Sequence, residues 1–84
     1  MFEILIDRAA EKDLRRLAPA VRERAEDAIL DLARNPRPAG AKKLTGSKSD
    51  WRIRVGDYRV LYEITDTIRV VRVFRVRHRG DVYR

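Results

Sequence analysis

Hydrophobic and polar residues change their period twice along this chain. Phe2, Ile4 and Ile6 alternate with Glu3 and Leu5, which is the two-residue repeat of a short strand. From about Arg8 to Leu17, the residues Ala10, Leu14 and Leu17 recur at helical spacing with charges between them. Ala18-Pro19 stops this helix, because the residue before a proline avoids helical backbone angles. Pro19 then suits the first turn of a second helix, where its missing N–H is not needed. Val21, Ala25, Ile29 and Leu32 make the buried stripe of that helix, and Asn35-Pro36 ends it. The two helices form an antiparallel hairpin.

Residues 35–50 are rich in Pro, Gly, Ser and Lys and read as a loop, with Leu44 as its apolar anchor. A connection this long is uncommon in a compact domain unless it is functional or mobile. Trp51 to Val55 then alternates strictly, and Tyr58 to Ile64 nearly so. Gly56-Asp57 between them is a two-residue turn with glycine first, as a type II′ hairpin requires. That turn places Val55 opposite Tyr58, Ile53 opposite Val60 and Trp51 opposite Tyr62 on an apolar face. The other face carries Arg54 opposite Arg59, and Arg52 opposite Leu61. After a turn at Asp66-Thr67, Ile68 to Val76 is apolar on both faces with Arg69, Arg72 and Arg75 interleaved, the pattern of an inner strand. The expected fold is α+β: an N-terminal strand, a helical hairpin, then a three-stranded antiparallel meander in one small sheet, β-α-α-β-β-β.

Composition narrows the class. The 84 residues leave room for one domain, 1–84, and a core of that size buries only about 60% of the unfolded chain's surface. With 44% hydrophobic and 39% charged residues, the chain reads as globular rather than disordered. The absence of cysteine excludes disulfides and Cys-rich zinc sites. No apolar run reaches the length of a membrane span and no signal peptide is evident, so a cytoplasmic location without membrane contact is expected. The net charge is +7, and it is uneven. Residues 1–40 hold eight basic and eight acidic side chains, whereas residues 41–84 hold twelve basic and five acidic. Such concentration points to a polyanionic partner, nucleic acid or an acidic protein.

The candidate chemistry lies in that basic half. Like charges directly opposite on two strands destabilise a sheet, so the Arg54–Arg59 pair breaks a folding rule where function is the expected reason. With Arg52, three guanidinium groups share one face, and guanidinium grips phosphate through forked hydrogen bonds at any working pH. The plainer reading is a solvated basic face partly neutralised by Glu63 or Asp57. Lys42, Lys43 and Lys48 keep the loop positive, and Arg75, Arg77, His78, Arg79 and Arg84 surround Gly80-Asp81-Val82-Tyr83. A tyrosine in such a tail can stack on an unpaired base, or plug the end of the sheet. A lone His78 is more often a surface residue than a catalyst, and Trp51 and Tyr62 read as core. No nucleophile triad, phosphate loop or metal-ligand cluster is present in the sequence, and no cofactor is expected.

The stretches Lys43-Leu44-Thr45-Gly46, Trp51 to Ile64 (WRIRVGDYRVLYEI) and Val76 to Tyr83 (VRHRGDVY) resemble the RelE/ParE superfamily of bacterial and archaeal toxins, and the ending HRGDVY resembles the RelE branch. The resemblance implies the toxin of a type II toxin–antitoxin system: a metal-independent endoribonuclease that enters the ribosomal A site and cuts mRNA. It implies a cognate small antitoxin as partner, ribosomal RNA and mRNA as targets, and operator DNA contacted only through the antitoxin complex. Carried over by position, the catalytic set falls on Arg52, Arg54, Arg59 and Tyr83, with a tail arginine at Arg77 or Arg79. Lys42, Lys43, Lys48, Arg75, His78 and Arg79 would bind RNA or the ribosome. The family's usual lysines are replaced here by Arg52 and Arg54, which are poor proton acceptors, leaving His78 and Glu63 as titratable candidates for the base. The competing readings are a ParE-like gyrase poison and a non-catalytic partner of the antitoxin in operon control.

Overall fold

The computed structural model describes residues 1–82. Its elements are β1 (Glu3–Ile6), α1 (Arg8–Arg15), α2 (Pro19–Asp31), β2 (Lys42–Lys43), β3 (Asp50–Val55), β4 (Tyr58–Thr65), β5 (Val70–His78) and a one-turn α3 (Arg79–Val82). The five strands form one sheet in the order β1-β5-β4-β3-β2. The α+β class, the helical hairpin and the meander are as the periodicities predict. Two features were not foreseen: β1 joins β5 in parallel, with Glu3 opposite Val70, and the loop contributes β2, with Lys42 opposite Arg52.

The helices cover one face of the sheet. Ala10, Leu14, Leu17, Ala25, Ile29 and Leu32 meet Ile53, Val55, Val60, Tyr62, Ile64, Val71, Val73 and Val76, all buried. The loop is fastened by Pro36, which is buried, more than by Leu44. The carbonyl of Pro36 accepts a 2.7 Å hydrogen bond from the Tyr62 hydroxyl. Arg37 follows, with its guanidinium over the Trp51 ring at 5.2 Å and paired to Asp66. Trp51 and Tyr62 therefore belong to the packing of the sheet, as expected.

The β3–β4 register is the one the turn dictates: Val55 faces Tyr58, Ile53 faces Val60, Trp51 faces Tyr62 and Arg54 faces Arg59. Gly56 has φ of 60°, as the first turn position of a II′ hairpin demands. The third strand of the meander starts later than predicted. Residues 66–69 form the turn, and Arg69 adopts φ of 54° there, leaving Ile68 exposed. Apolarity on both faces of this segment has a specific cause. The β4–β5 ladder pairs Tyr62 with Val73 but Leu61 with Arg75, so Phe74 is an extra residue in a β-bulge. The bulge shifts the phase, and Val71, Val73 and Val76 all reach the core face.

Candidate functional site

The hairpin turn and the bulge together set a row of three arginines across the sheet. Arg54 on β3 stands opposite Arg59 on β4, and Arg59 stands opposite Arg77 on β5. All three therefore occupy the face turned away from the helices. Arg54 is exposed, whereas Arg59 is only 5% exposed. Two recesses flank this row and share its first two members. One, of about 240 Å³, is lined by Gly40, Lys42, Arg52, Arg54 and Arg59. The other, of about 440 Å³, is lined by Arg54, Arg59, Arg79 and Gly80. The sheet edge at β2 brings Lys42 beside Arg52, and the turn into α3 brings Arg79 over the row, where its N–H donates to the Asp57 carbonyl at 2.8 Å. The result is a groove whose walls are cationic along its length, with forked donors suited to a phosphodiester backbone. Tyr83, expected to stack on a base here, lies outside the described residues.

The family model described as the ParE toxin of type II toxin–antitoxin systems matches residues 4–83. The chain belongs to this toxin family. Among curated relatives, toxin RelG of Mycobacterium tuberculosis is 36% identical, over 99% of this chain and 97% of its own. Among solved structures, RelE in the RelE–RelB complex of Pyrococcus horikoshii gives a TM-score of 0.84 at 27% identity, covering 94% of this chain and 96% of that one. The isolated RelE toxin of E. coli gives 0.81 at 29% identity, covering 99% and 92%. The toxin is thus a RelE-like member of the RelE/ParE superfamily, as its motifs implied.

The remaining candidate residues of the toxin are distributed by strand parity. Lys42 lines the groove; Lys43, opposite Trp51, and Lys48 are exposed outside its lining. Of the two tail arginines, Arg77 continues the row and Arg79 lines the groove. Arg75 is tied to Asp13 of α1, its Nε donating at 2.8 Å and a terminal nitrogen at 3.2 Å. That pairing raises the guanidinium pKa above its usual value, chiefly through the hydrogen bond to Asp13. Asp13 accepts the Val76 N–H as well, at 2.9 Å. His78 is opposite Tyr58 and so on the helix side of the sheet, with Nδ1 accepting the Gly80 N–H at 3.2 Å. Glu63 shares the arginine face, but four residues from Arg59, roughly 13 Å along the strand, and Arg72 engages it together with Asp7. Arg24 of α2, not among the candidates above, has its guanidinium near the hairpin tip at Gly56. Its position on a helix gave no sign of that reach.

Proposed function

We propose that this toxin is a ribosome-dependent endoribonuclease that cuts mRNA in the ribosomal A site and so inhibits translation in the cytoplasm. The observation that carries the proposal is the Arg54–Arg59–Arg77 row with cationic recesses on either side. A sheet selected for folding alone has no need to set like charges opposite one another. The similarity to RelG and RelE toxins supports the same reading. In the reaction, the 2′-oxygen preceding the scissile bond attacks the adjacent phosphorus and the P–O5′ bond breaks. The products are a 2′,3′-cyclic phosphate and a 5′-hydroxyl. Arg54 and Arg59 stabilise charge on the phosphoryl oxygens, with Arg52, Arg77 and Arg79 steering the backbone, and Tyr83 stacks on a base to hold the 2′-oxygen in line. Glu63 is held by Arg72 and His78 is on the other face, so the hydroxyl proton passes to water and the leaving oxygen regains one from it. Orientation and fixed charge supply the acceleration.

The toxin's partner in this reading is a small cognate antitoxin, as in the RelE–RelB complex of P. horikoshii and the RelBE2 complex of M. tuberculosis, and operator DNA is met only through that complex. The test is primer extension on a defined mRNA, with and without translating ribosomes. Cuts in register with codons and only with ribosomes are expected. Loss of one oxyanion donor typically costs about 10²–10³ in rate, so Arg59→Ala and Tyr83→Ala should each abolish growth inhibition while still capturing antitoxin. Undiminished toxicity in both variants overturns the site. No cuts at all, together with inhibition of supercoiling, would favour gyrase, the target implied by the ParE resemblance.

A further inference from the structure

The toxin has a third cationic recess, of about 340 Å³, outside the arginine groove, lined by residues of α1 and the later part of β5 together with Leu17 and Tyr58. It exists because β1 is short. β1 pairs only with Val70–Val73, so the later part of β5 has no strand on that side and α1 approaches it instead. Leu17 and Val76 give the recess an apolar floor, while Tyr58, His78, Arg16 and Arg77 line it with aromatic and cationic groups. The Tyr58 and His78 rings meet edge to face, with centroids 5.3 Å apart at 83°.

Its electrostatics favour an anion. Asp13 is the acidic residue in the lining, and its charge is already paired with Arg75 while it also accepts the Val76 N–H. Among the described residues, Arg16 and Arg77 make no ion pair. A bare anion would use the two guanidinium groups and leave the apolar floor and the rings idle. A nucleotide uses all of them, with its base against aromatic and aliphatic surface and its phosphate on the arginines, which is how single strands are held. Arg77 links this recess to the groove, since it stands opposite Arg59 in the ladder and also borders the recess.

We infer that the recess between α1 and the end of β5 binds one nucleotide of single-stranded RNA, flanking the segment in the arginine groove, so that the strand passes around the end of the sheet. The inference rests on the proposed RNA substrate, and the experiment separates the two. A 2′-O-methylated uridine decamer, which cannot be cleaved by 2′-oxygen attack, is titrated by fluorescence anisotropy at low salt into the wild-type protein, Arg16→Ala and Arg54→Ala. Arg16 is exposed just past the end of α1, so its loss leaves the fold intact. Arg16→Ala should weaken binding about tenfold and lower the logarithmic salt slope by roughly 0.7, and the His78 ring proton resonances should shift on RNA addition. Binding weakened by Arg54→Ala but not by Arg16→Ala, with the His78 signals unmoved, overturns the recess and leaves the RNA substrate standing. Binding indifferent to both substitutions removes the RNA substrate and the recess with it.

Discussion

The Arg54–Arg59 and Arg59–Arg77 pairs oppose folding, each by something in the ~0.2–1 kcal/mol range of cross-strand side-chain pairs. In a domain whose whole stability is a few kcal/mol, that is a noticeable sacrifice. Arg54→Glu turns one repulsive pair into an attractive one. It should raise unfolding stability by about 0.5–1 kcal/mol in urea titrations, while ribosome-dependent cleavage falls by about 10² or more. Loss of both stability and cleavage would mean that the row is a structural feature instead. This trade was legible in the sequence, because a II′ turn at Gly56-Asp57 determines which residues face one another. The third arginine of the row was not, since the phase of Arg77 depends on a bulge at Phe74 that no local signal announces.

At the scale of elements, the hairpin register and both helices could be read from period and turn chemistry. The parallel pairing of β1 with β5 could not, because the partner of an N-terminal strand is set by how the helical hairpin returns the chain to the sheet. Neither could the fastening of the long loop, which depends on a tertiary contact. Pro36 is held by the Tyr62 hydroxyl, and burial pushes the Tyr62 phenol up to about 12. An unfolded tyrosine ionises near pH 10. The contribution of Tyr62 is therefore complete below pH 10 and declines as the pH rises towards 12. Tyr62→Phe should cost about 1 kcal/mol at pH 7 through the lost hydrogen bond, yet show a shallower loss of stability between pH 9 and 11. Parallel alkaline limbs for the two proteins would contradict this account of the clamp.

Taken whole, the molecule concentrates its +7 charge in the half that builds the sheet, and opposes its own compaction there. A partner that covers the basic groove relieves this repulsion as it binds. An antitoxin at a hundred times its dissociation constant adds about 2.7 kcal/mol, which for a domain of this size corresponds to a rise in melting temperature of roughly 10–20 °C. Differential scanning calorimetry of the toxin alone and in complex measures it directly. A complex that melts with the free toxin would show that the antitoxin does not favour the folded toxin over the unfolded chain.

The parallel pairing of β1 with β5 also imposes an order of assembly. The helical hairpin needs only its own neighbours in sequence, but Glu3 must wait for Val70, and closing so long a loop is slow. Pulse-labelled hydrogen exchange should therefore protect the amides of α1 and α2 before those of β1. The arginine row spans β3, β4 and β5, so it does not wait for β1 and is complete as soon as β5 has paired with β4. A half-made toxin, ending at residue 40, thus holds eight of its twenty basic residues and none of the strands of the groove, and the chain becomes dangerous to its maker only once its last strand has joined the meander.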